Sequence, residues 1–137
     1  MALTHLVDTS ALTRLRDSDV RARILEGASQ SVLAITSLSH LELGFSARSA
    51  QEWDEISGSL QSLRAVEIAD ADVRSALRVQ RELAARGLRG RKLVDLLISA
   101  TALRLRLAVL HYDKDFDHVS AVTGQVCEWV APAGSLD

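Results

Sequence analysis

Four carboxylates occupy positions that a solvated surface explains poorly. Asp8 follows the apolar run His5–Val7 and opens Asp8-Thr9-Ser10-Ala11-Leu12, where a strand gives way to a helix. It could cap that helix, but Thr9 and Ser10 are also good caps, which leaves Asp8 available for chemistry. Glu42 shares the spacing i, i+3, i+4, i+7 with Leu38, Leu41 and Phe45, so helical period places it in the stripe expected to face the protein. An ionised group there needs an Arg, a set of donors or a metal. Asp95 stands among Leu93, Val94, Leu96 and Leu97 at the start of a strongly apolar segment. The helix dipole favours an acid in a first turn. Asp95 also shares a face with Ile98, Ser99 and Ala102, and the small side chains leave room for a ligand. Asp113 ends the run Ala108–Tyr112 and is followed by Asp115 and Asp117. A calcium loop of the EF-hand type is excluded, because His118 stands where Gly is required and Gly124 where a bidentate Glu is required. Asp115 and Asp117 suit a solvated turn, whereas Asp113 lies closest to the strand end.

Carboxylates that converge repel one another, and a hard divalent cation removes the conflict. All-oxygen ligands favour Mg²⁺ or Mn²⁺, and the chemistry that follows most directly is phosphodiester hydrolysis by an activated water. Other chemistries lack their residues. His5, His40, His111 and His118 have no paired zinc-ligand spacing, and there is no phosphate-binding glycine loop, dinucleotide fingerprint or serine nucleophile elbow. The lone Cys127 cannot form an internal disulfide; it reads as a small buried hydrophobe near Val126 and Val130 and fits a reducing compartment.

The elements that must position these groups alternate. Strand-length apolar runs occur at His5–Val7, Val32–Ile35, Ala65–Ile68, Ala108–Leu110 and Val126–Val130. Helical period predicts helices over about Ser10–Arg16, Ser18–Ala28, Ser37–Ala47, Ala50–Leu63, Asp70–Arg86 and Val94–Arg106. This is an α/β pattern, which favours a mostly parallel sheet with ligands beyond the carboxyl ends of its strands. Asp8 and Asp113 then enter one crevice if their strands are neighbours. Asp70 and Asp72 are explained as the cap and first-turn acid of the helix they introduce.

The chain has 137 residues, of which 47% are hydrophobic, enough for one compact domain spanning residues 1–137. No segment approaches the roughly 20 apolar residues of a membrane span, and no secretory leader is evident, so a cytoplasmic protein is expected. The net charge is −2, yet Arg74, Arg78, Arg81, Arg86, Arg89, Arg91, Lys92, Arg104 and Arg106 are opposed in their segment only by Glu82 and Asp95. That segment is either a solvated helical face or a surface for a polyanion, with Arg89, Arg91 and Lys92 as the RNA-binding candidates.

Four motifs in order, Leu6-Val7-Asp8-Thr9-Ser10-Ala11-Leu12, Ser39-His40-Leu41-Glu42-Leu43-Gly44, the run Asp95–Ala102 and the run Leu110–Asp117, resemble those of the PIN-domain toxins of bacterial VapBC toxin–antitoxin pairs. The likeness covers essentially the whole chain. It implies a PIN-like fold, a parallel five-stranded sheet flanked by helices on both faces. It also implies an Mg²⁺- or Mn²⁺-dependent endoribonuclease, a homodimer, and inhibition by a cognate VapB-like antitoxin docked along the helices after the first strand. By position, Asp8, Glu42, Asp95 and Asp113 become the acidic residues, with Asp115 an additional ligand and Ser10 the hydroxyl beside the first aspartate. The division of roles between Asp113 and Asp115 stays open.

Two other classes compete. A metal-dependent phosphatase of the haloacid-dehalogenase type needs a second Asp two residues after its nucleophile, where this chain has Ser10. A non-catalytic PIN-like module that binds RNA or protein has no need of Glu42 and Asp95 on inward faces. A receiver domain needs a Lys after a late strand, and none follows Lys114.

Overall fold

In the computed structural model, which describes residues 2–88 and 92–136, five strands form one parallel sheet. They are β1 (His5–Val7), β2 (Leu33–Thr36), β3 (Arg64–Val66), β4 (Ala108–His111) and β5 (Cys127–Trp129), in the order β3-β2-β1-β4-β5. The chain therefore builds outward from β1 in one direction and then resumes on its other side with β4. That reversal is the switch point at which parallel sheets open a crevice. Val7 pairs with Leu110, and the Asp8 backbone N–H donates to the Leu110 carbonyl at 2.9 Å. Asp8 and the residues after β4 thus emerge side by side.

Strand residues alternate between two apolar layers. Val7, Leu33, Ile35 and Leu110 pack with Val20 and Ile24 of α2 (Ser18–Ser29), and Leu6, Ala34 and Val109 pack with Ile98 and Ala102 of α6 (Leu93–Leu105). Both faces are covered, which is why the central strands read as continuous apolar runs. The helix α5 (Asp70–Ala85) lies outside α6 and shares Ala76, Leu83, Leu96 and Val119 with it and with α7 (Asp115–Thr123). The helices α3 (Ser37–Phe45) and α4 (Ala50–Ser59) pack against each other, with Trp53 stacked on His40 at 5.6 Å.

Several expectations shift. The first helix, α1, is only Thr9–Leu12, and its cap is Asp8 rather than Thr9 or Ser10. A helix not foreseen, α7, starts at Asp115, so this aspartate lies in a first turn and not in a solvated loop. Phe116 and Val119, three residues apart and both fully buried, carried its helical period. Glu42 does not lie in an inward stripe: Leu41 and Phe45 are 68% and 91% exposed, and α3 turns Ser39 and Leu43 inward instead. Asp72 is more than a first-turn acid. It is buried and takes Arg104 Nε at 2.8 Å and Nη2 at 3.0 Å, Thr101 Oγ1 at 3.1 Å and the Ala69 N–H at 2.8 Å. Arg104 is thereby removed from the basic segment as a free cation. Cys127 is half-buried in the Leu6 layer, apart from Val130 in the other layer, and burial pushes its thiol up to about 12. Arg89 and Arg91 lie outside the described residues.

Candidate active site

The crevice at the switch point holds the acidic groups. Asp95, in the first turn of α6, is 4% exposed because that helix is buried over most of its surface. Its carboxylate meets those of Asp113 and Asp115 with ligand oxygens all within 4.8 Å of one another. Asp113 is carried there by β4 and held by the Asp115 backbone N–H at 2.9 Å, the turn that begins α7. Asp8, 3% exposed, reaches the same crevice from β1.

Ser10 fixes the first aspartate. Its backbone N–H and hydroxyl both donate to Asp8 Oδ2, at 3.0 and 2.6 Å, while its Oγ accepts the Tyr112 backbone N–H at 2.8 Å. One side chain therefore ties the end of β1 to the end of β4. Glu42 sits exposed at the rim, where Thr9 Oγ1 donates to it at 2.7 Å. Thr9 was missed by the sequence reading, since a Thr beside a cap carries no signal of a partner 33 residues away.

Electrostatics grade the group. Burial, then the negative charges of Asp8 and Asp113, push Asp95 up to about 8. Its Oδ2 is buried and has no hydrogen-bond partner among the described residues. Burial also raises Asp8, against the Ser10 hydrogen bonds, and Glu42 and Asp113 add to the rise. Burial works to raise Asp113 as well, but the Asp115 N–H and Lys92 outweigh it and hold its carboxyl below the usual range. Lys92, an RNA-binding candidate from sequence, lies with its Nζ 3.0 Å from Asp113 Oδ2. Beneath the site His111 is enclosed by Phe116 and Trp129, and burial pushes it down to about 4, so it is neutral.

A buried carboxylate oxygen with no partner among the described residues, beside two further carboxylates, is a donor set able to hold a cation. All-oxygen ligands at this spacing fit a hard divalent ion. The structure brings Asp8, Asp95, Asp113, Asp115 and Ser10 to one crevice with Glu42 at its edge. Asp117 is turned away and accepts from Trp129 Nε1 at 3.3 Å.

Comparison with known proteins agrees with this geometry. Residues 5–122 match the model of the PIN domain family. The chain is 45% identical to Ribonuclease VapC51 of Mycobacterium tuberculosis over 137 residues, covering 100% of each, and 38% identical to Ribonuclease VapC18 of the same organism, covering 98% of this chain and 100% of that one. Its fold is similar to that of DNA-bound VapBC from Salmonella typhimurium, with a TM-score of 0.78 at 19% identity, covering 94% of this chain and 99% of that one. It is also similar to VapBC2 from Rickettsia felis bound to a DNA fragment from the promoter, with a TM-score of 0.76 at 17% identity over 94% of this chain and 98% of that one. A sheet that reverses at β1, with its acidic residues gathered at that reversal, thus comes with full-length sequence relatives: the chain belongs to the PIN domain family, among the VapC proteins.

Proposed function

We propose that this chain is the toxin of a type II toxin–antitoxin pair, a single-domain cytoplasmic endoribonuclease that hydrolyses RNA phosphodiester bonds with Mg²⁺ or Mn²⁺. The observation that carries the reading is Asp95: a buried carboxylate with one oxygen unpartnered among the described residues, close to Asp113 and Asp115. Its relatives named as ribonucleases support the reaction class. No helix among the described residues is long and apolar enough to cross a membrane.

In this reading Asp8, Asp95, Asp113 and Asp115 hold the ion. The bound cation supplies Lewis acidity that makes water a nucleophile at neutral pH and offsets the charge on the phosphate. Asp95, which retains a proton near neutral pH when no cation is present, gives it up on loading. Ser10 aims Asp8 and keeps the ends of β1 and β4 in register. Glu42, held by Thr9 at the rim, completes the acidic set. Lys92 balances the charge of Asp113.

The partners follow from surfaces left uncovered. Leu25 of α2 and Leu41 and Phe45 of α3 are 62%, 68% and 91% exposed, and these apolar side chains are available to a VapB-like antitoxin. Structural neighbours that are VapBC complexes support an antitoxin partner. Val73 and Leu77 of α5 and Leu93 of α6 are a second exposed apolar strip, suited to the homodimer.

Total RNA incubated with antitoxin-free protein and Mg²⁺, Mn²⁺ or EDTA tests the activity. Discrete metal-dependent fragments are expected. A folded protein that binds Mn²⁺ but cuts only small phosphate esters would return the phosphatase, and one that binds RNA without metal or cleavage would return the binding module.

Two further outcomes arise here. Because loading displaces the Asp95 proton below about pH 8, the Kd for Mn²⁺ is expected to tighten about tenfold per pH unit from pH 6 to 8 and then level off. Calorimetric titrations across that range check it; a flat profile removes Asp95 from the ligand set. Ser10→Ala leaves the Tyr112 N–H without its acceptor and Asp8 without its hydroxyl donor. It is expected to cost about 1–2 kcal/mol in urea unfolding and to slow cleavage about tenfold. An unchanged rate would make the hydroxyl purely structural.

A further inference from the structure

Beside the acidic crevice lies a groove of about 470 Å³ with the opposite charge. It is continuous with the site through Ser10 and Asp113, yet its cations are Arg14, Lys92 and Lys114. Among the described residues Asp113 is the only carboxylate lining it, and Lys92 already pairs with that group. Lys114 is exposed and makes no ion pair among the described residues. Arg14 is positioned by its surroundings. Its guanidinium carbon lies 4.6 Å from the centre of the Tyr112 ring, and Nη1 donates to the Ser10 carbonyl at 2.8 Å. A guanidinium held in this way loses less freedom on meeting a phosphate than a free side chain would. The half-buried Trp129 also lines the groove.

Cations alone would suit any anion. Here they stand directly against a centre that, in the reading above, grips one phosphate of a strand. The neighbouring phosphate of that strand must leave the carboxylates at once, and this adjoining recess is lined by positive charge and by Trp129. Single strands are bound by that combination, with cations on the backbone and an aromatic ring under the base. We propose that this groove is a nucleotide subsite: Arg14 and Lys114 hold the phosphate next to the one being cut, and its base lies against Trp129. The inference rests on the ribonuclease reading and assigns where its substrate runs.

The test uses full-length protein carrying Asp95→Asn, so that the strand survives, and Trp53→Phe, so that Trp129 is the sole tryptophan. A short single-stranded RNA oligonucleotide is titrated in Mg²⁺ at several salt concentrations while indole fluorescence is followed. Binding is expected to quench Trp129. Lys114→Gln and Arg14→Gln are each expected to flatten the slope of log K against log salt by about 0.7, the share of one phosphate contact on a single strand. Lys114 is exposed, so its variant reads binding even if Arg14→Gln perturbs α1. RNA binding with no quench and unchanged slopes in both variants would overturn the subsite while leaving the nuclease intact. An oligoglutamate peptide that quenches as strongly, with the same dependence on Lys114, would overturn it in favour of an acidic protein segment. Wild-type protein that neither binds nor cleaves RNA would remove the ribonuclease reading and the subsite together.

Discussion

Asp95→Asn is expected to lower RNA cleavage by about 10³-fold, close to 4 kcal/mol of barrier, while the metal-free protein melts higher than the parent at pH 8. The two effects share one cause. With its folded value at about 8 and its unfolded value near 3.8, the Asp95 carboxyl is protonated in the fold and ionised in the unfolded chain between those limits. The unfolded state then binds fewer protons, so stability falls as pH rises from about 4 to about 8, and the full penalty is present above 8. Asn keeps the shape without the charge. The relief should be about 2 kcal/mol, or about 8 °C in Tm for a domain of this size. Thermal melts at pH 5 and pH 8, with and without Mn²⁺, read it directly. The gain should shrink at pH 5, and Mn²⁺ should stabilise the parent but scarcely the variant. A variant that melts lower than the parent at pH 8 would mean that the buried carboxylate has found a partner in the fold.

The opposite pattern is expected of another buried aspartate. Asp72→Ala should destabilise the protein by about 3 kcal/mol, lowering Tm by about 10 °C, with no change in affinity for Mn²⁺. The carboxylate of Asp72 closes the α5 terminus through the Ala69 N–H, anchors Arg104 and takes the Thr101 hydroxyl. Burial works to raise its pKa, but these partners outweigh it and hold it low. Removing it strands the Ala69 N–H and leaves the charged Arg104 with the Glu67 carbonyl alone among the described residues, while Thr101 keeps the Leu97 carbonyl. Denaturant unfolding paired with Mn²⁺ titration separates the two aspartates: one is costly to the fold and serves the site, and the other serves the fold alone. A Mn²⁺ affinity that moves with Asp72→Ala would show the α5–α6 contact to be coupled to the crevice.

Much of this was legible from residue order. Asp8 and Asp113 each follow an apolar run, and parallel pairing of neighbouring strands is enough to bring them together. Asp95 betrayed itself by its apolar neighbours and the small side chains on its face. What could not be read depends on how helices are rotated and on pairs made across long stretches of chain. Leu41 and Phe45 have the period of a core stripe, but α3 packs at the side of the sheet against α4 and turns that stripe to solvent. Whether a periodic apolar face meets the core or a partner is not encoded in its spacing. The Lys92–Asp113 and Arg104–Asp72 pairs join residues 21 and 32 positions apart, and no local pattern announces them. The helix α7 was hidden because three acidic residues near its start read as a turn, although they also suit the positive end of a helix.

The order in which the sheet is assembled has a consequence for synthesis. Its central strand, β1, is made first, but the neighbour that completes the crevice, β4, begins only at residue 108, and Asp113 and Asp115 come later still. A chain emerging from the ribosome holds Asp8 for most of its elongation with nothing opposite it. Translation that stalls before β4 yields a fragment without the paired strand ends, the Asp113 carboxylate or the Ser10 bridge to Tyr112. The acidic crevice is in this way complete only once synthesis has passed Asp115, at the start of the final helix.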